Sequence, residues 1–154
     1  MIHALALLIG IVAGLRTFTA PAAVAWAVHL GWIPLQDTHF AFLGQSIVPW
    51  ALSLMAIIEL VTDKLPVTPS RKIPMAFGAR ILSGGFSGAA LGASAGGLAA
   101  GLILGVAGTV AGTLGGYAFR MRLAAFFDND LPAALIEDLI AVGGAFLIAQ
   151  MPAI

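Results

Sequence analysis

The chain is 154 residues long, 60% hydrophobic and only 9% charged, with a mean hydropathy of +1.04. Soluble domains average about 45–50% apolar and about 25% charged residues, so this is the composition of an integral membrane protein. Seven basic and seven acidic residues give no formal net charge, which excludes a nucleic-acid partner held by basic excess, and the absence of cysteine excludes disulfides, thiolate chemistry and sulfur-ligated metals.

At about 20 residues per full span, the apolar stretches between polar breaks allow roughly five to seven membrane segments. Met1-Ile2-His3 lacks the basic region of a cleavable signal, so the first apolar run is expected to stay in the mature protein. Residues 2–15 read as a helix of 14 residues, about 21 Å long against a hydrocarbon core of about 30 Å. Arg16-Thr17-Phe18-Thr19-Ala20-Pro21 then breaks the run. Thr19 is placed to cap a second short helix, whose first turn tolerates Pro21 and which ends near Leu30. Residues 34–45, with Asp37, His39, Gly44 and Gln45, form the longest polar connection of the first half. Ser46 to Thr62 is apolar and long enough to cross, closing on Glu59, Asp63 and Lys64.

Pro66, Pro69 and Pro74 confine any helix that follows to short pieces, and residues 70–80 are expected to be one of them. Gly84, Gly88, Gly92 and Gly96 recur every fourth residue, followed by Gly101, Gly105, Gly108, Gly112 and Gly116. They predict helices over about 82–99 and 101–123 with glycine along one face, a glycine-zipper pattern that lets backbones approach closely in lipid. Arg120, Arg122, Asp128 and Asp130 mark the exit, and a last helix is expected over 133–151. No strand pattern is present, as glycine at this density and a lipid solvent both require.

Two motifs repeat in order. Gly14-Leu15-Arg16 returns 64 residues on as Gly78-Ala79-Arg80, and Asp63-Lys64-Leu65-Pro66 returns 66 residues on as Asn129-Asp130-Leu131-Pro132. The expected fold is therefore an all-α integral membrane protein in a single membrane domain, 1–154. It has six to seven short and long helices in two repeats, 1–66 and 67–132, plus the final helix. Three segments per repeat is an odd number, so the second repeat should be inverted, with broken or re-entrant helices at each Gly-x-Arg. That topology places Arg16 and Asp63 toward one side and Arg80 and Asp130 toward the other. The positive-inside comparison, Lys64, Arg71 and Lys72 against Arg120 and Arg122, differs by one residue.

Arg16 and Arg80, at the ends of helices too short to span, demand partners at depth. Glu59 and Asp63 share a helix face and either can neutralise Arg16. Asp128, Asp130, Glu137 and Asp138 are candidates for Arg80. Helix starts at Thr19 and near Ser83 would add unpaired N–H groups that favour an anion, while Glu59 and Asp63 favour a cation. The candidate pathway residues are thus Arg16, Arg80, Glu59, Asp63, Thr17, Thr19, Asn129 and Asp130, with Lys64, Asp128, Glu137 and Asp138 as structural ion pairs. Gly84, Gly88, Gly92, Gly96, Gly108, Gly112 and Gly116 are helix-packing positions. His3, His29 and His39 lack ligand spacing, so no metal or cofactor is expected, and Trp26, Trp32 and Trp50 read as an aromatic belt.

Through Gly14-Leu15-Arg16-Thr17-Phe18-Thr19-Ala20-Pro21, Glu59-Leu60-Val61-Thr62-Asp63-Lys64-Leu65-Pro66 and Ile136-Glu137-Asp138-Leu139-Ile140 the chain resembles a bacterial membrane family labelled domain of unknown function 4126. The resemblance covers most of the length. It implies an all-helical inner-membrane protein with Arg16, Glu59, Asp63, Lys64, Glu137 and Asp138 on recurring polar positions, and it brings no activity.

Together these features predict a multi-pass protein of the bacterial inner membrane, a small inverted-repeat transporter or channel for a polar or charged solute or ion. A homodimer is expected. The alternative is a structural or partner-binding membrane protein whose ion pairs only lock helices together. An enzyme acting on lipid through Asp63 and Asp130 ranks last, because the inverted topology separates those acids.

Overall fold

The computed structural model describes residues 1–65 and 73–151. Among the described residues there are six α-helices and no strand: α1 (Ile2–Leu15), α2 (Thr19–His29), α3 (Ile47–Thr62), α4 (Pro74–Ala93), α5 (Leu98–Phe127) and α6 (Asp130–Gln150), with a 3₁₀ turn at Ala41–Gly44. Two of them, α5 and α6, are long and apolar enough to cross a membrane, and α1 and α3 are shorter apolar helices.

Local chemistry explains the boundaries. Helix α1 stops where Arg16 turns extended, and α2 places Pro21 in its first turn, where no helical N–H is needed. At the end of α2, Gly31 adopts a left-handed φ of 77°, which lets Trp32 N–H reach the Ala27 carbonyl and Gly31 N–H the Val28 carbonyl. Helix α4 opens with Pro74 as its first residue. Asp128 takes a left-handed φ of 52° to end α5, and Asn129 starts α6 by accepting the Leu131 N–H at 3.0 Å.

Two expectations change here. Helix α4 runs unbroken through Gly78-Ala79-Arg80, so the segments expected at 70–80 and 82–99 are one helix and no break accompanies the second Gly-x-Arg. Residues 66–72, which hold Pro66 and the boundary between the expected repeats, lie outside the described residues. The merger changes the parity of the chain. Only α4 and α5, rather than three segments, separate Asp63 from Asp130, so both acids arrive at the same end of the bundle, where Arg120 binds both.

Packing fixes the helix directions. Helices α1 and α5 run parallel, since Leu7 and Ile11 of α1 face Gly108 and Gly112 of α5. Helices α4 and α5 run antiparallel, with Gly84, Gly88 and Gly92 set against Gly105, Gly101 and Gly97. A Cβ added at Gly10, Gly88, Gly101, Gly105 or Gly108 would fall on a carbonyl oxygen of the facing helix. Glycine in α5 therefore serves two neighbours, α4 and α1, and Gly10 and Gly14 of α1 join the packing positions read from sequence. Gly96 does not: it lies in the α4–α5 turn with φ 72° and open space beside it. Thr113 completes the seam by donating to the Gly14 carbonyl at 3.3 Å, and Thr109 Oγ1 lies between the Gly105 carbonyl of its own helix at 2.8 Å and the Gly10 carbonyl of α1 at 3.2 Å.

Candidate functional site

The site grows from the break between α1 and α2. A helix end inside a protein leaves carbonyls at one terminus and N–H groups at the other without partners, and here both needs fall at residues 14–18. Arg80, from the second turn of α4, donates Nη1 to the carbonyls of Gly14 and Leu15, both at 2.8 Å. A cation thus meets the negative end of the α1 dipole. Glu59, near the end of α3, accepts the N–H groups of Thr17 at 2.7 Å and Phe18 at 2.9 Å. The two capping side chains stand 3.9 Å apart. Ser83 adds a hydrogen bond to the Thr17 carbonyl.

With its backbone held in this way, Arg16 directs its guanidinium to a separate ionic layer. It is fully buried. Nε donates to Asp138 at 2.7 Å, Nη1 lies 2.8 Å from Asp63, and Nη2 pairs with Asp138 and lies 3.7 Å from Glu137. Arg120 stands beside it, paired with Asp63, 3.5 Å from Glu137, and bidentate to Asp130 at 2.9 and 2.6 Å. Lys64 pairs with Asp138 and donates to the Leu60 carbonyl at 2.7 Å. Among the described residues, three cations, Arg16, Lys64 and Arg120, thus interlock with three anions, Asp63, Glu137 and Asp138. Asp130 is a seventh member at the rim, its side chain 60% exposed. Isolated charges could not be held at this burial; mutual pairing is what makes it tolerable.

The layer lies below one end of the bundle. Helices α1 and α3 end at it and α2 begins there, whereas α4 starts six residues before Arg80, α5 continues seven residues past Arg120, and α6 starts seven residues before Glu137. At about 1.5 Å per residue the three long helices extend about 9–11 Å beyond it.

The expected site residues divide as follows. Asp63 neutralises Arg16 as anticipated, and Lys64, Glu137 and Asp138 are in ion pairs. Glu59 instead caps α2, and Arg80 faces Glu59 and two carbonyls rather than Asp128, Asp130, Glu137 or Asp138. Asp128 makes no ion pair among the described residues; it is exposed and serves as the left-handed residue after α5. Asn129 is a helix cap, not part of a polar path. Thr19 is no cap: it is the first residue of α2, 7% exposed, and its Oγ1 has no hydrogen-bond partner. At the start of α2 expected to await an anion, Glu59 already stands against the two N–H groups just before it, those of Thr17 and Phe18, and no helix starts near Ser83. Arg120 joins the site although the sequence places it at a helix exit, because α5 continues seven residues past it.

Among the described residues no cluster of three or more His, Asp or Glu is arranged to hold a metal ion. His29 Nδ1 contacts the Gly44 carbonyl at 2.8 Å, and Trp26 binds Ser53 through Nε1 at 2.9 Å while meeting Trp50 edge to face at 5.1 Å. No curated protein and no solved structure matches the chain. A family model described as Domain of unknown function (DUF4126) matches residues 3–154, and the chain belongs to that family.

Proposed function

We propose that the chain is a small multi-pass membrane transporter or channel for a polar or charged solute or ion, with the ionic layer as its closed gate. The observation that carries this reading is the α1–α2 break: a discontinuous helix whose two ends are held by charges from two other helices, about 10 Å below the ends of α4, α5 and α6. Broken helices beside buried charge are the form that transport sites take in bilayers. Helix α3 is the element suited to move. Pro49 is its only fully buried residue, and Glu59, Asp63 and Lys64 latch its end to α1, α2, α5 and α6.

In this reading the ionic end faces the cytoplasm. Arg16, Lys64, Arg80, Arg120 and Arg122 all lie there and no described Lys or Arg lies at the other end, while Arg71 and Lys72 belong to the connection between α3 and α4. The expected homodimer would use the outward face of α3, where Ile47, Trp50, Leu54 and Val61 are exposed. With no native cysteine, Leu54→Cys gives a disulfide-linked dimer if that face is shared.

The test is flux into liposomes across a panel of small cations and anions. Asp63→Asn loosens the latch without changing side-chain size, and is expected to alter the rate of the transported species at least tenfold. A second reading, that the layer only locks helices, is favoured by the way each described cation of the layer, Arg16, Lys64 and Arg120, is engaged by a carboxylate of another helix. It requires that no panel ion moves in wild type or variant, and that Arg16→Met with Asp138→Leu keeps the fold and matches or exceeds wild-type stability. That pair of results would displace the transport reading.

A further inference from the structure

A groove opens on the side of the bundle between α5 and α6, beside the end of α1, with a volume of about 230 Å³. Gly115 and Gly116 form its bed, and Leu15, Phe119 and Ile140 give it apolar walls. Gly115, Phe119 and Ile140 are exposed, and a Cβ added at Gly115 would meet nothing within 4 Å, so the groove is open to whatever surrounds the bundle. Glu137 borders it but is only 1% exposed, its carboxylate 3.5 Å from Arg120 and 3.7 Å from Arg16. The surface on offer is therefore apolar.

Arg122 tops this groove. Residues seven apart lie on one helix face, so Arg122 continues the line of Gly115 toward the end of α5, about 10 Å further along. Phe119 and Phe126, three residues before it and four after, flank it and are 41% and 81% exposed. Arg16, Lys64, Arg80 and Arg120 all stand against carboxylates, whereas Arg122 is exposed and makes no hydrogen bond or ion pair among the described residues. The 30 residues of α5 measure about 45 Å, close to the thickness of a bilayer with its headgroups, about 40–45 Å. With the helix centred in the bilayer, Gly115 lies about 4 Å from the midplane, among acyl chains, and Arg122 about 14 Å from it, at the edge of the hydrocarbon core. From there a long cationic side chain reaches outward to the phosphates. A zwitterionic headgroup would bring its own cation to Arg122, and an anionic one would not.

We propose that this face binds an anionic phospholipid, with its phosphate paired to Arg122 and one acyl chain lying in the groove over Gly115 and Gly116. The inference rests on the chain spanning a bilayer and not on transport.

The experiment follows thermal unfolding of the full chain in dodecyl maltoside while phosphatidylglycerol, or phosphatidylcholine with identical acyl chains, is added. Both are expected to raise the melting temperature saturably, with phosphatidylglycerol reaching half its effect at a lipid fraction about fivefold lower, the factor for one arginine at an anionic lipid surface. Arg122→Gln should bring the phosphatidylglycerol curve onto that of phosphatidylcholine, and Arg122→Lys should keep the two apart. Gly115→Leu, whose side chain enters open space, should leave the lipid-free melt at or above that of wild type and shift both lipid curves to higher lipid. Equal curves for the two lipids in wild type, a phosphatidylglycerol preference that survives Arg122→Gln, or curves that Gly115→Leu leaves in place would overturn the assignment; the second would put the lipid on other cations of the chain.

Discussion

At the scale of single residues, burial and pairing separate the charged side chains into two jobs. Glu59 and Arg80 hold backbone, and Arg16, Lys64, Arg120, Asp63, Glu137 and Asp138 hold one another. Glu59→Gln keeps the shape but removes the charge from two hydrogen bonds, each worth about 1.5–3 kcal/mol when one partner is ionised. Thermal unfolding in detergent should show a loss of about 1–3 kcal/mol. Arg16→Ala should cost more, about 3–5 kcal/mol, because it removes the fully buried guanidinium that joins three acids and leaves Asp63, Glu137 and Asp138 to share Arg120 and Lys64. The distinction was half legible in the sequence. Glu59 and Asp63, four residues apart, do share a helix face, but that face meets two different needs: an open backbone at Thr17 and Phe18, and a guanidinium at Arg16. Spacing within one helix says nothing about which neighbouring backbone lies opposite each turn.

At the scale of elements, glycine decides how near the helices come. Gly105 of α5 lies so close to α4 that an added Cβ would meet the Gly84 carbonyl oxygen, whereas Gly115 on the same helix has nothing within 4 Å. Gly105→Ala is expected to part α4 from α5 and cost about 1–3 kcal/mol or more through overpacking. Gly115→Ala should gain about 0.5–1 kcal/mol from helix propensity. A comparison of the two melting curves checks both, and equal curves would mean that the seam is looser than this. The fourfold spacing from Gly84 to Gly92 revealed the seam in advance. Gly96 broke the pattern because its positive φ is needed to turn the chain from α4 into α5; periodicity cannot distinguish the last glycine of a packed face from the glycine that ends the helix.

At the scale of the whole molecule, the direction of each helix sets which charges meet. With α4 unbroken, the α1–α2 and α5–α6 connections, the end of α3 and the start of α4 lie at one end, and the α2–α3 and α4–α5 connections at the other. Single cysteines at Gly44 and Asp128 test this in inverted and right-side-out membrane vesicles. If the chain spans the membrane in the orientation proposed above, Asp128→Cys should react with a membrane-impermeant maleimide only from the cytoplasmic side, and Gly44→Cys only from the opposite side. Labelling of both from one side would refute the alternation.

The amino-acid sequence alone determined the helical class, the short first helices, the glycine seam and the set of ionisable residues that must find partners, because all of these follow from local propensity, periodicity and the cost of burying charge. The pairing of those residues was decided only in three dimensions. One proline-flanked segment joined its neighbour to make α4, that single merger changed the number of helices between Asp63 and Asp130, and these two acids, expected on opposite sides, came together around Arg120. Local chemistry sets where a helix can start or stop, but whether a marginal break survives depends on what the adjoining helices offer its exposed backbone: Arg80 and Glu59 support the break at Arg16, and the helix at Arg80 needs no such support because it never opens.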